Sequence, residues 1–218
     1  MKIFLVRHGQ SMGNINQQEY FDKLDCHIEL TQRGFAQAKD AAQTIVKLDF
    51  LGDLEKEYHL FCSTYKRAQD TKDVIQKELA IMGKFHVCDK QSVLLREREW
   101  GDLRDILRAN AHTDDHWNFY YRPLRGESFA DCFQRAAIFD LWMETQIAQP
   151  QLPSVIVAHG EFIKCYLMYK LRWTLDEFDK WKNPKNCEVY LLDKSPTGEW
   201  RISAETPLTE SHGLKTRA

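Results

Sequence analysis

Apolar residues along this chain fall into two rhythms. Short runs rich in β-branched and aromatic side chains read as buried strands: Lys2 to Val6 (KIFLV), His59 to Cys62 (HLFC), Phe85 to Cys88 (FHVC) and Pro153 to Ala158 (PSVIVA). Longer stretches repeat apolar and small positions at helical spacing. From Thr31 to Leu48 these are Phe35, Ala38, Ala42, Ile45 and Val46, with Thr31 placed to cap the first turn. Thr64 onward and Glu161 to Leu171 also read as helical, and Thr174 with Glu177 forms a capping box for one more helix. Cys187 to Leu192 and Trp200 to Ser203 flank the turn-forming Ser195-Pro196-Thr197-Gly198 and close the pattern as a strand pair.

Strands alternating with helices predict an α/β fold, a three-layer α/β/α arrangement around a mainly parallel sheet. The segment from Leu103 to Gln149 breaks the alternation, being polar and aromatic as far as Ser128 and helical from there. We read 103–149 as an inserted helical lobe over the active site, since long insertions often serve that purpose. It belongs to a single domain spanning 1–206, and a polar tail covers 207–218.

Composition narrows the function. The 218 residues are 43% hydrophobic and 28% charged, the make-up of an ordinary globular domain and not of a fibrous or disordered chain. A net charge of -2 provides no general grip on nucleic acid or anionic membrane, so an anionic partner must meet a local concentration of arginines. The apolar run before Arg7 is too short for a signal-peptide core and no later run approaches a membrane span, which leads us to expect a cytoplasmic protein. Six scattered cysteines without a C-x-x-C pair fit reduced core thiols better than a disulfide framework or a zinc site. His112 and His116, four apart around Asp114-Asp115, would suit zinc on a helix, but a solvated loop is the simpler reading.

Three segments share one pattern, an apolar strand followed closely by a basic or imidazole side chain: KIFLV-Arg7-His8-Gly9, HLFCSTYK-Arg67 and PSVIVA-His159-Gly160. In open parallel sheets ligands bind beyond the carboxyl ends of the strands. If these strands are neighbours, two imidazoles and two guanidiniums converge on one small volume, and such a cluster suits a phosphate dianion. Taken singly, each residue has a plainer reading: a lone histidine as a structural hydrogen-bonder, or Arg67 as part of a solvated face with Lys66, Asp70 and Lys72. The paired His-Gly dipeptides favour function, because glycine lets the backbone approach a ligand closely.

Beyond this pattern the chain resembles the histidine phosphatase superfamily, which includes the cofactor-dependent phosphoglycerate mutases. RHGQSMGN (Arg7 to Asn14), Asp25, LTQRG (Leu30 to Gly34), STYKRAQDT around Arg67, LREREWG around Glu97, RGES (Arg125 to Ser128) and AHGEF around His159 follow in the family's order along nearly the whole chain. The resemblance implies that His8 is the phosphorylated nucleophile, that Arg7, Asn14, Arg67 and His159 line the phosphate pocket, and that Glu97 is the proton donor. Glu99, two residues on, competes for that last role. Trp117, Phe119, Tyr120, Tyr121, Arg122 and Arg125 mix aromatic and basic side chains that could hold the organic part of a phosphoester, with packing inside the lobe as the alternative. Arg98 and Arg122 are the substrate-binding candidates.

The chemistry follows from these types. Phosphoryl transfer needs an in-line nucleophile, charge stabilisation of the equatorial oxygens and protonation of the leaving oxygen. Neutral His8 would attack phosphorus while its other ring nitrogen donates to a backbone carbonyl. Arg7, Arg67 and a protonated His159 would supply the positive charge that a metal ion provides elsewhere, so no cofactor and no metal are expected. The leading expectation is a metal-independent phosphomonoester hydrolase acting through a phosphohistidine on a small phosphorylated metabolite. Neither nucleic acid nor membrane is an expected partner, and a homodimer is compatible with the sequence. A 2,3-bisphosphoglycerate-dependent phosphoglycerate mutase is the alternative: the Glu97-Arg98-x-Trp100-Gly101 stretch speaks for it, the lack of paired arginines in an extended insert against it. A non-catalytic phosphate-binding regulatory module is the alternative of another class, though pure binding needs no nucleophile and acid together.

Overall fold

The first strand is apolar from Ile3 to Val6 because it lies in mid-sheet with helices on both faces, where neither side of a strand meets water. The computed structural model describes residues 2–49, 57–101 and 117–204. In chain order the elements are β1 (Lys2–Arg7), two single turns α1 (Met12–Ile15) and α2 (Glu19–Asp22), α3 (Gln32–Leu48), β2 (Glu57–Ser63), α4 (Lys66–Ile81) and β3 (Phe85–Ser92). There follow α5 (Trp117–Tyr120), α6 (Phe129–Gln146), β4 (Ser154–Ala158), α7 (Gly160–Leu171), α8 (Leu175–Lys180), β5 (Val189–Lys194) and β6 (Trp200–Ala204). The strand order is β3-β2-β4-β1-β5-β6. The first four strands run parallel, and β5 and β6 extend the sheet antiparallel.

Side chains alternate between two cores with the two-residue period of a strand. Phe4 and Val6, with Leu60, Cys62, Val155 and Val157, meet α3 and α4 on one face. Ile3 and Leu5, with Phe61, Ile156 and Ala158, meet α6 and α7 on the other. The α3 layer approaches closely because its buried stripe is mostly alanine: Ala38, Ala41, Ala42 and Ile45. Phe35, read from the sequence as part of that stripe, is 41% exposed, because the buried face runs from its neighbour Gly34 to Ala38 and Ala41. The opposite layer is aromatic, with Phe139 set edge-on to Phe61 at 6.2 Å and 6.0 Å from Phe162 and Tyr166.

Helix α6 occupies this second layer, burying Cys132, Ala136, Phe139 and Met143 in the same core as Phe61 and Ile156. The later part of segment 103–149 is therefore a layer helix of the main body. Its early part, with His112, Asp114, Asp115 and His116, lies outside the described residues, as does the tail 207–218. Helix starts form where the capping residues predict: the Oγ atoms of Thr31, Ser128 and Thr174 accept from the N–H groups of Gly34, Asp131 and Glu177. None of the six cysteines forms a disulfide, and no helix among the described residues is long and apolar enough to cross a membrane.

Candidate active site

The order β2-β4-β1 makes neighbours of the three strands that end in basic or imidazole groups. Arg7 pairs with Ala158 in the β1–β4 register, and the His8 N–H continues the ladder to the Ala158 carbonyl at 2.9 Å. His159, the residue after β4, stands at the N-cap position of α7 with its side chain free of any capping bond to that helix. The result is a buried pair of imidazoles with ring centroids 5.1 Å apart. Helix α4 opens just beyond the end of β2 and brings Arg67 to the same place.

His8 has a defined tautomer. Its Nδ1 lies 2.7 Å from the Gly9 carbonyl oxygen, an atom that can only accept, so Nδ1 carries the hydrogen. Nε2 is left with its lone pair, and it accepts from Arg67 Nε at 3.3 Å. Burial and the charges of Arg67 and Arg7 push the His8 pKa well below the usual imidazole value. The ring is therefore neutral at pH 7, the form a nucleophile requires. Loop packing fixes its position: the Gly9 N–H donates to Thr71 Oγ1 on α4 at 2.9 Å. A Cβ on Gly9 would stand 2.5 Å from the Gly34 carbonyl oxygen, so this glycine serves contact with α3 and not the approach of a ligand.

Arg67 is held from behind. Its Nη1 donates to the Asp25 carbonyl at 2.6 Å and to Asp25 Oδ1 at 2.7 Å, and Nη2 reaches Oδ2 at 3.3 Å. Arg7 donates through Nη1 to the Pro184 carbonyl at 2.5 Å, and its buried Nε has no partner among the described residues. His159 Nε2 lies 2.8 Å from Ser63 Oγ, whereas its buried Nδ1 likewise has no partner among the described residues. Unsatisfied buried polar atoms are rare in folded proteins, and two of them in a cluster with two guanidiniums are groups whose chemistry suits an anion. The Tyr65 ring lies 5.0 Å from the His159 ring and 5.0 Å from the Arg67 guanidinium carbon.

The protonated His159 is expected around a phosphate; without one, burial, then Arg67, His8 and Arg7, hold its pKa well below the imidazole range. Among the protein's own groups it is neutral, and the standing positive charge of the pocket comes from Arg7 and Arg67.

Glu97 sits at the N-terminus of α7. Its Oε1 accepts from the Arg98 and Phe162 N–H groups at 3.0 and 3.1 Å, and Oε2 accepts from the Glu161 N–H at 3.4 Å. Burial first, then the Glu161 charge, push its pKa up, against the opposing pull of the Arg98 N–H, Arg7 and Arg67. That makes it a carboxyl able to give and retake a proton. Glu99 differs: its Oε1 accepts from the Gly101 N–H at 3.4 Å on an exposed loop, which favours Glu97 for the role. The Glu97 segment is stapled from below by buried Arg135, which donates to the carbonyls of Leu94, Arg96 and Glu97 and pairs with Glu127.

The remaining candidates are placed differently. Asn14 is exposed, and its Oδ1 accepts from the Ser11 N–H and from Asn186 Nδ2, both at 3.0 Å; Asn186 also donates to the His8 carbonyl. It thus supports the His8 loop through Asn186. Arg98 spends its guanidinium on Glu161 and the Glu127 carbonyl. Arg122 is exposed and forked onto Asp131, which itself caps α6. Neither arginine is brought to the anion cluster as a free donor. Ser63, Thr71 and Asn186 were not singled out from sequence; only Ser63 carried a signal, standing at the end of β2 as Arg7 does at the end of β1. Among the described residues no group of three or more His, Cys, Asp or Glu side chains is arranged to hold a metal ion.

Known proteins resemble this chain in sequence and in fold. A phosphoglycerate mutase-like protein of Arabidopsis thaliana, AT74, is 27% identical to 93% of this chain, which spans 67% of that protein. A 2,3-bisphosphoglycerate-dependent phosphoglycerate mutase of Nitrobacter winogradskyi is 30% identical over 76% of this chain and 79% of its own. A mycobacterial glucosyl-3-phosphoglycerate phosphatase, solved with VO3, superposes with a TM-score of 0.71 at 21% identity, covering 93% of this chain and 97% of the other. The model of the histidine phosphatase superfamily (branch 1) matches residues 3–205. With nearly its whole length matched, the chain belongs to the histidine phosphatase superfamily.

Proposed function

We propose that this protein is a phosphomonoester hydrolase that needs no metal ion and passes the phosphoryl group through Nε2 of His8. The single observation that carries this reading is the His8 tautomer: Nδ1–H is tied to the Gly9 carbonyl, and the bare Nε2 faces Arg67. In the first step the Nε2 lone pair forms a bond to phosphorus as the ester P–O bond breaks, and Glu97 gives its proton to the departing oxygen. In the second step water attacks phospho-His8, its proton goes to Glu97, and the P–N bond breaks to release phosphate. Arg7 and Arg67 hold the equatorial oxygens, and the approach of a dianion favours return of a proton to His159. A small phosphorylated metabolite is the substrate class that this reading assigns.

A panel of phosphomonoesters assayed with EDTA tests the proposal. Sustained phosphate release is the expected result, and complete loss under EDTA would overturn it. The same protein given 3-phosphoglycerate, with and without 2,3-bisphosphoglycerate, separates hydrolysis from mutase chemistry, because in a mutase phospho-His8 returns its group to the bound intermediate instead of to water.

A further inference from the structure

Glu97 has an arginine as its chain neighbour yet forms no ion pair with it. Every arm of Arg98 is engaged elsewhere. Nε donates to Glu161 Oε2 at 2.8 Å, Nη2 to Glu161 Oε1 at 3.3 Å and Nη1 to the Glu127 carbonyl at 2.9 Å, while the guanidinium carbon lies 4.3 Å from the centre of the Phe129 ring. Glu161 is fixed in turn by Trp100, whose indole N–H donates to Oε2 at 2.8 Å. The carboxyl of Glu97 is left with main-chain N–H groups from Arg98, Glu161 and Phe162.

We propose that Glu161 is a positioning residue that draws Arg98 away from Glu97, so that the catalytic carboxyl is held by main-chain donors alone. This deepens the proposed function, since it rests on Glu97 as the proton donor. The physical reason is direct. A guanidinium within about 4–6 Å of a carboxyl favours its ionised form by one to three pH units, and an acid already ionised has no proton to give. Pairing with Glu161 cancels the Arg98 charge and aims its donors sideways. The Glu161 carboxylate also repels Glu97 directly and raises its pKa, and the other groups whose charge reaches Glu97 are Arg7 from the end of β1, Arg67 from α4 and Arg135 from α6, with the Tyr20 phenol and the Cys165 thiol nearby. None of these depends on Glu161 for its partner.

The test is the titration of the Glu97 carboxyl, followed by carbon NMR in protein labelled at glutamate, in the wild type, Glu161→Gln and the double variant Glu161→Gln/Arg98→Gln. Glu161→Gln keeps an oxygen for Trp100 and frees Arg98, so the Glu97 midpoint should fall by about one pH unit or more. The double variant removes the freed cation and should recover most of that fall, the remainder being the direct repulsion of the Glu161 carboxylate, which both variants lack. The alkaline limb of kcat should move with the midpoint in both. An unshifted midpoint in Glu161→Gln, or a double variant whose midpoint is no higher than that of Glu161→Gln alone, overturns the inference. Normal turnover in Glu97→Gln would instead overturn Glu97 as the acid, while the NMR titration still decides whether Glu161 restrains Arg98.

Discussion

Arg67 reaches His8 and Asp25 at once, Nε donating to His8 Nε2 at 3.3 Å while its two terminal nitrogens grip the Asp25 carboxylate. One planar fork thus orients His8 Nε2, the nucleophile of the proposed mechanism, and supplies fixed charge beside it. The bidentate pair leaves Arg67 only one orientation, so its Nε direction is set before substrate arrives. Replacing Arg67 with Ala should lower kcat by roughly 10²–10³, the loss typical of a preorganised oxyanion donor. Asp25→Asn should cost less, about tenfold, because the guanidinium stays but loosens. Steady-state kinetics on one phosphomonoester check both; an Asp25→Asn effect exceeding that of Arg67→Ala would contradict the hierarchy.

Glu97 as general acid makes a prediction about leaving groups. Glu97→Gln should cost about 10²–10⁴ in turnover of alkyl phosphates, whose oxygen needs the proton, and far less with a nitrophenyl phosphate, whose oxygen departs as a stable anion. A rate series across leaving groups of graded pKa should steepen in the variant. If the loss is under tenfold for every ester, the acid is elsewhere.

The buried histidines shape stability as a function of pH. Unfolded, His8 and His159 would take up protons near pH 6.5, whereas the fold depresses both values. More protons are bound unfolded than folded, so stability falls as pH drops from about 7 through 6.5 toward the folded-state values. At pH 5.5 each histidine kept neutral costs about 1.4 kcal/mol. Glu97 works with the opposite sign, its raised pKa making the folded state the better proton binder above the ordinary carboxyl value. Comparing wild type with His159→Asn isolates the histidine contribution: chemical denaturation between pH 7.5 and 5.5 should show a shallower decline in the variant. Inorganic phosphate should restore stability at pH 5.5 in the wild type by favouring protonated His159. Equal slopes in the two proteins would contradict the neutral-His159 assignment.

Contact between the His8 loop and α3 is tight enough to test with one methyl group. A Cβ on Gly34 would stand 2.2 Å from the Gln10 carbonyl, a backbone atom that cannot turn aside. Gly34→Ala should therefore displace the loop that carries His8, at a cost of about 1–3 kcal/mol in stability together with a loss in kcat. Thermal unfolding and turnover measure the two effects; unchanged turnover would show that the loop accommodates the methyl without moving His8.

How far the sequence foretold this arrangement depended on the range of each interaction. The interiors of β1, β2 and β4 (Ile3 to Val6, Leu60 to Cys62, Val155 to Ala158) are apolar because both faces are buried, and that pattern is local, as are the caps at Thr31, Ser128 and Thr174. Arg7, His8 and His159 stood out because each follows such a run directly. The adjacency of those three strands is a property of the sheet and could only be posed as a condition. Phe35 was misread because an alanine stripe gives a weak periodic signal, and a large apolar neighbour on the exposed side dominates it. Arg98 could not be placed because its partner Glu161 lies on another element, 63 residues away. Ser63, Thr71 and Asn186 act through single hydrogen bonds to groups distant in the chain, a role that leaves no pattern of its own. The depressed pKa of His159 leaves no local pattern either, because it comes from burial and from Arg67, His8 and Arg7, which lie far from it in the chain.

The central claim is that His8 carries the phosphoryl group, and trapping the intermediate tests it most directly. Enzyme mixed with a phosphomonoester labelled at phosphorus, in EDTA, is quenched in alkali within the first turnover and digested for peptide mapping. The account predicts label on the peptide containing His8, stable in base and lost in acid as a phosphoramidate is, and absent from a His8→Ala protein that no longer turns over. Label on another residue, or a His8→Ala protein that still releases phosphate at the wild-type rate, would contradict it.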